Sequence, residues 1–122
     1  MSKGVMIILT TGKEDRGAKA TLSFSFAIVA MSMGIDIKIF LTMDGTIWAY
    51  KDACKGVRFP MYEDLEKYVN LFYEMGGRVM VSTPCSEYFC GVLDNVELSE
   101  NAELTEFSEI IKLSDNYNLI SM

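Results

Sequence analysis

The fold of this chain is decided by the stretch from Val5 to Thr42, which reads VMIILTTGKEDRGAKATLSFSFAIVAMSMGIDIKIFLT. Residues 5–10 form the continuous apolar run that is typical of a strand buried on both faces. Residues 18–33 place apolar side chains at helical spacing, and residues 36–42 alternate and then become fully apolar, which predicts a second strand. A strand, a helix and a strand in this order predict a βαβ unit with parallel strands.

The helix predicted over residues 18–33 is apolar on nearly all sides. Its faces carry Leu22, Phe26, Val29 and Met33 on one side, and Phe24, Ile28 and Met31 on the other. A helix of this kind is buried on two sides. One face would pack on the sheet, and the other is available to a neighbouring subunit.

The same alternation of helices and strands continues downstream. The patterns predict a short helix over 46–51, a helix over 61–75, a strand over 78–82 and a helical turn from Pro84. They then predict a short strand over 96–98, a last helix from Ser99 or Asn101 to about Leu113, and a terminal strand over 119–121. In the last helix, Leu104, Phe107 and Ile111 are expected to face inward. We therefore expect a single α/β domain over residues 1–122, with a mostly parallel sheet and helices on both faces. Ligands of such sheets lie at the carboxyl ends of the strands.

Composition excludes several classes of function. The chain has 122 residues, half of them hydrophobic, and a formal charge of −6. This acidic balance argues against nucleic acid and anionic membrane surfaces as partners. The absence of His excludes imidazole catalysis and His-ligated metal sites. Cys and Lys are the strong nucleophiles that remain.

The cysteine count and the apolar segments indicate a cytoplasmic protein. Three cysteines, at positions 54, 85 and 90, make no dense disulfide framework, which favours a reducing compartment. The first residues lack the layout of a signal peptide. The longest uncharged stretch, 20–35, is shorter than the roughly 20 residues that a membrane-spanning helix needs.

Cys85 is the strongest candidate for chemistry. It follows the third predicted strand, with Ser82 or Thr83 as a helix cap and Pro84 at the first helical position. A thiol in the first turn of a helix ionises more easily, because free N–H groups and the helix dipole favour an anion. Cys85 is thus either a thiolate nucleophile or persulfide carrier, or a small buried side chain at a strand–helix junction.

The other two cysteines are weaker candidates. Cys90 follows Cys85 by five positions, which is not a Cys-x-x-Cys redox motif, so it is either a resolving thiol or a core residue. Cys54 is flanked by Lys51 and Lys55, which we expect to lower its pKa, and its loop would bring it to Cys85 if it folds over the sheet.

A further candidate is the loop after the first strand. Thr10, Thr11 and Gly12, followed by Arg16, can bind a small anion at the N-terminus of the next helix. The alternative is an ordinary connection between a strand and a helix, because the pattern of a P-loop is missing.

The order of these motifs resembles the DsrE/DsrF-like family of small sulfur-relay proteins, which includes the TusD-type carriers. The resemblance rests on the loop 10–16, on the stretch MGIDIKIFLTMDG at 33–45, and on the Pro84-Cys85 pair followed by Gly91. Members often carry Cys-Pro-x-Cys and later Arg-Gly. Here Thr83 precedes Pro84, and Cys90 stands in the place of the Arg.

The resemblance implies a three-layer, flavodoxin-like α/β domain that assembles into trimers or hexamers. It also implies a cysteine that accepts sulfane sulfur as a persulfide, and the matching position is Cys85. Beside Cys85, the residues Cys54, Cys90 and Thr83 are candidates for an assisting role. The expected partners are protein sulfur donors and acceptors, and no metal or organic cofactor is expected.

Three hypotheses follow from the sequence. The leading one is a cytoplasmic sulfur carrier or sulfurtransferase-like protein that uses Cys85. The second is a non-catalytic structural subunit of an assembly, suggested by the apolar helix over 18–33. The third is a small-anion-binding protein that uses the loop after the first strand.

Overall fold

A parallel sheet organises the chain, of which the computed structural model describes residues 3–83 and 98–122. The strands in this part are β1 (Gly4–Leu9), β2 (Ile37–Leu41), β3 (Val79–Ser82), β4 (Ala102–Thr105) and β5 (Tyr117–Ser121). Their order is β4-β3-β2-β1-β5, and all the pairings between them are parallel. Apolar runs in β1 and β2 favour this arrangement, because strands in the middle of a parallel sheet are covered on both faces.

Helices cover the two faces unequally. The α-helices of the described residues are α1 (Ala18–Ser32), α2 (Leu65–Glu74) and α3 (Phe107–Leu113), and short 3-10 helices span Lys13–Asp15, Met43–Ala49 and Ser114–Asn116. The larger core lies between the sheet and α1 with α2, where the rings of Phe24 and Phe72 meet edge to face with centroids 5.5 Å apart. The opposite face has a smaller core around Phe40 and Ile110 of α3. The predicted three-layer α/β fold with helices on both faces is confirmed.

The side of α1 that faces the sheet carries mostly small residues, and the side with most of the large apolar residues faces outward. The side that packs on the sheet is lined by Ala20, Phe24, Ala27 and Ala30, whereas Leu22, Phe26, Val29 and Met33 are exposed. Small residues on the inner side let the helix approach the sheet closely, and Phe24 packs against Phe72 of α2. The single chain thus buries one side of this helix, and burial of the other side by a neighbouring subunit stays a prediction.

The C-terminal half contains two further corrections. The residues predicted as the start of the last helix form β4, and α3 begins only at Phe107. The side chain that faces inward is Ile110, and Leu104, Phe107 and Ile111 are all at least half exposed. A parallel pairing of β4 with β3 overrides the weak helical pattern.

The observed boundaries of other elements differ from the predicted ones by a few residues. The helix predicted from Met61 begins at Leu65, and Met61 is fully exposed. The helix predicted from Thr46 is a 3-10 helix that begins at Met43. Leu98 forms an isolated antiparallel bridge with Tyr50, and the rest of the short strand predicted around it lies outside the described residues. Across the described ranges, the helices are too short or too polar to cross a bilayer.

Candidate functional site at the carboxyl edge of the sheet

The loops that follow β1 and β2 pack tightly on one another. The Thr42 N–H donates to the Leu9 carbonyl at 3.1 Å, and the Trp48 indole N–H donates to the Thr11 carbonyl at 2.9 Å. Gly45 lies so close to the Leu9 carbonyl oxygen that a Cβ there would collide with it. The 3-10 helix after β2 is thus held directly against the loop after β1.

The hydroxyls of that first loop bind the end of the chain. The Met122 carbonyl accepts hydrogen bonds from the Thr10 hydroxyl at 3.1 Å and from the Thr11 hydroxyl at 3.4 Å. The Thr10 N–H donates to the same carbonyl at 3.2 Å. These predicted anion-binding groups therefore connect β1 to the end of β5.

The N-terminus of α1 is already occupied by a carboxylate of the chain. Asp15 accepts hydrogen bonds from the N–H groups of Gly17 and Lys19, both at 3.0 Å. An acidic side chain in this position satisfies free N–H groups and interacts favourably with the helix dipole. Arg16 is exposed beside it, and Gly12 packs against the Asp44 carbonyl. This geometry disfavours an external anion at the loop.

A pair of carboxyl groups adds negative charge to the same edge. A side-chain hydrogen bond with Glu14 raises the pKa of Asp44, and burial and the charge of Glu14 act in the same direction. Both residues are exposed. Sequence reasoning missed this pair because its members are distant in the chain and meet only when the two loops pack. Within residues 3–83 and 98–122, no group of three or more His, Cys, Asp or Glu is placed to hold a metal ion.

Ser82 is the last residue of β3 and precedes the predicted nucleophile, Cys85, by three positions in the sequence. Ser82 is fully buried, and its hydroxyl has no hydrogen-bond partner among the residues that the structure describes. Thr83 is already helical, so Ser82 and not Thr83 precedes the helical segment. Cys85 and Cys90 lie in 84–97, outside the described residues. Their predicted roles, and the meeting of Cys54 with Cys85, stay predictions.

Cys54 lies in an environment that protects the thiol. The side chain is 7% exposed. Burial, together with the charge of Glu66, raises the pKa of Cys54 to about 12, and the charge of Lys13 opposes the rise. Lys55 pairs with Asp52 at 3.1 Å. The prediction that Lys51 and Lys55 lower this pKa is wrong, because burial and the nearby carboxylate of α2 dominate.

Comparison with known proteins agrees with this architecture. The chain is 33% identical over 84 residues to an uncharacterized protein, MJ0760, of Methanocaldococcus jannaschii, and these residues are 69% of the chain but 30% of that relative. The crystal structure of YchN from E. coli superimposes with a TM-score of 0.71 at 11% identity, over 98% of this chain and 99% of YchN. MTH1491 of Methanobacterium thermoautotrophicum, a protein of unknown function, gives a TM-score of 0.67 at 13% identity, over 99% of this chain and 100% of MTH1491.

These structural likenesses establish the fold. The family follows from the sequence pattern of the DsrE/DsrF-like family, which matches residues 3–122. This match spans the sheet, the helices around it and the loops at the carboxyl edge. The chain belongs to the DsrE/DsrF-like family.

Proposed function

We propose that this chain is a sulfur carrier that holds sulfane sulfur as a persulfide on Cys85 and passes it to a partner protein. The observation that carries the proposal is family membership over nearly the whole chain, together with a cysteine soon after the end of β3. The carboxyl ends of parallel strands are where α/β folds bind and transform their ligands. A reducing cytoplasm, inferred from cysteine usage, is the compartment that we propose.

The proposed transfer exchanges one sulfur–sulfur bond for another. The Cys85 thiolate attacks the terminal sulfur of a donor persulfide, the new bond forms to that sulfur, and the donor leaves as a thiolate. In the second half-reaction an acceptor thiolate attacks the terminal sulfur of the Cys85 persulfide. Cys85 then leaves as a thiolate. Electrons and atoms balance without an added oxidant or cofactor.

The chemistry of the remaining residues is consistent with this relay. No His is present to serve as a general base, so activation of Cys85 would rest on backbone N–H groups and nearby positive charge. Cys54 is a poor carrier because its pKa is raised to about 12 and its side chain is buried. We therefore expect the carrier thiol to be Cys85, with Cys90 as the candidate resolving thiol.

Intact-mass spectrometry tests the proposal directly. The folded chain is incubated with inorganic polysulfide, and we expect a mass increase of one sulfur atom that dithiothreitol removes. Cys85→Ser should abolish the increase, whereas the matched variants Cys54→Ser and Cys90→Ser should retain it. An adduct that survives Cys85→Ser, or no adduct at all, would contradict the proposal.

A structural subunit without sulfur chemistry is the second candidate function. The exposed apolar side of α1 favours it, because four large apolar side chains on one helix face are an unusual surface for a monomer. A stable oligomer whose thiols take up no sulfur would support this candidate. Sulfur uptake that depends on Cys85 would instead support the carrier.

A further inference from the structure

The strand β5 forms one edge of the sheet, because among the described residues it pairs with β1 on one side only. The Met122 N–H donates to the Ile8 carbonyl at 2.8 Å, and the Met122 carbonyl accepts from the Thr10 N–H at 3.2 Å. Alternate residues of a strand direct their backbone groups to the same side of it. Met122 therefore faces β1, whereas the N–H and carbonyl groups of Leu119 and Ser121 point away from the sheet.

This outer edge of β5 is open to solvent. Asn118 and Leu119 lie on opposite faces of the sheet and are both exposed, so neither helical layer covers these two side chains. The Tyr117 N–H donates to the Ser114 carbonyl. The outward N–H groups of Leu119 and Ser121 make no backbone hydrogen bond in the described part of the chain. Donors and acceptors thus alternate along an accessible edge.

The two edges of the sheet differ in charge. At the other edge, β4 contains Glu103 and is flanked by Glu100 and Glu106, and all three side chains are exposed. Charged side chains, prolines and bulges protect edge strands from pairing with another chain. Residues 116–122 include no charged side chain and no proline, and β5 pairs with β1 residue for residue. The edge of β5 is therefore a template for a further strand.

We propose that β5 pairs antiparallel with β5 of a second copy of the chain, with Leu119 at the two-fold axis. In this register Leu119 exchanges both of its backbone hydrogen bonds with the partner's Leu119, and the Ser121 N–H donates to the partner's Tyr117 carbonyl. The Leu119 side chain, which is 52% exposed in the single chain, then contacts its own equivalent. An axis at Ile120 would instead place Leu119 opposite Ser121 and lose this contact.

A second copy is the partner that this edge fits. A two-fold axis brings a strand against itself, so a charged strand such as β4 would set Glu103 near its own equivalent, whereas the uncharged β5 opposes no like charges. Hydrogen bonds from Thr10 and Thr11 to the Met122 carbonyl already hold the end of β5 in place. Pairing with an ordered strand loses less conformational entropy. The contact is independent of the proposed persulfide transfer.

Oxidative cross-linking tests the register in a chain that carries Cys85→Ser and Cys90→Ser. Leu119→Cys places two Cα atoms about 5.5 Å apart across the axis, which is within the range of a disulfide. We expect copper–phenanthroline to convert most of this variant into a covalent dimer that dithiothreitol separates. Ser121→Cys is the matched control, because it faces the partner's Tyr117 and should stay uncross-linked. No dimer with Leu119→Cys, or equal dimer with Ser121→Cys, would overturn the proposal.

Light scattering tests the contact in the unmodified chain. A two-fold contact makes the number of chains in the assembly even. Leu119→Lys sets like charges across the axis and should halve the measured mass, with the fold checked by circular dichroism. Leu104→Lys makes the same change on the other edge strand, where Leu104 is also 52% exposed, and should leave the mass unchanged. A monomeric or odd-numbered unmodified protein, or equal effects of the two variants, would refute the β5 contact whatever the outcome of sulfur loading.

Discussion

At the residue scale, Cys54 shows how burial determines the chemistry of a thiol. Its pKa of about 12 lies above the ordinary value of 9.0, so the folded state holds its proton more tightly than the unfolded state. The stabilisation from this difference is present below pH 9 and is lost as pH rises toward 12. Cys54 should therefore be inert under conditions in which a carrier thiol reacts.

Alkylation tests this prediction in a chain that carries Cys85→Ser and Cys90→Ser. We expect iodoacetamide to modify the remaining thiol about a hundredfold or more slowly in the folded protein than in urea, because thiolate is scarce and the side chain is only 7% exposed. Adding Glu66→Gln should raise the rate only modestly, since burial is the larger cause of the shift. Similar rates in the folded and unfolded chains would show that Cys54 is accessible and ionisable.

The carboxyl pair of Glu14 and Asp44 predicts a pH-dependent contribution to stability. The pKa of Asp44 is higher in the folded state than in the unfolded state, because of its hydrogen bond with Glu14, burial and the charge of Glu14. The stabilisation from this difference is present in acid and is lost as pH rises through the folded-state pKa of Asp44. Asp44→Asn should therefore stabilise the protein at neutral pH, by less than about 0.5 kcal/mol because the pair is exposed. Urea unfolding at neutral pH and near pH 3.8, where an ordinary aspartate titrates, should show the gain shrinking in acid. A gain that grows in acid would be inconsistent with this sign.

The contact between the loops after β1 and β2 makes Gly45 a steric requirement. Gly45→Ala would drive its Cβ into the Leu9 carbonyl oxygen, and we expect a loss of about 2 kcal/mol in the free energy of unfolding. Gly34→Ala is the control, because a Cβ at Gly34 would meet open space. Its φ of 80° is unfavourable for alanine, so this variant should lose about 1 kcal/mol from backbone strain alone. Chemical denaturation measures both variants. A smaller loss for Gly45→Ala than for Gly34→Ala would argue against close packing of the loops.

At the element scale, one side of α1 packs on the sheet, and comparing an alanine substitution on this side with one on the exposed side tests that orientation. Phe24 is fully buried against Phe72, so Phe24→Ala should lower the free energy of unfolding by about 3–5 kcal/mol. Phe26 is 40% exposed, and Phe26→Ala should cost less than about 1 kcal/mol when unfolding is measured on the monomer. A reversed order of the two losses would mean that the helix is rotated about its axis.

The same helix shows what the sequence could and could not predict. Apolar patterns located β1, α1, β2, α2 and β3, because continuous apolar runs mark the buried strands and helical spacing marks the two helices. It could not choose the inner side of α1, since both sides are apolar and close approach to the sheet favours the alanines. It missed β4, whose pairing with β3 is non-local. The Asp15 cap and the Glu14–Asp44 pair depend on loop geometry that no periodicity describes.

At the scale of the whole molecule, the two helical layers leave different surfaces to solvent. On α1 and its C-cap, Leu22, Phe26, Val29 and Met33 are 44%, 40%, 58% and 70% exposed, and they lie on one side of the helix. The exposed Lys19 lies at the N-terminal end of this side. On the opposite layer, Ile111 of α3 is 69% exposed. Contiguous apolar stripes of this kind mark protein–protein contacts more often than isolated apolar residues do. We therefore propose that this side of α1 contacts a second copy of the chain.

Light scattering coupled to size-exclusion chromatography tests this prediction. Val29→Glu places a charge in the centre of the stripe, and burying it in an interface without a partner is unfavourable, so self-association should weaken about tenfold or more. Ile111→Glu introduces the same charge on the opposite layer and should leave the assembly intact. Both positions are exposed in the single chain, so both variants should keep the native circular dichroism spectrum. If only Ile111→Glu dissociates the assembly, the contact lies on α3 and not on α1. If the unmodified protein is a monomer, the proposed assembly is refuted.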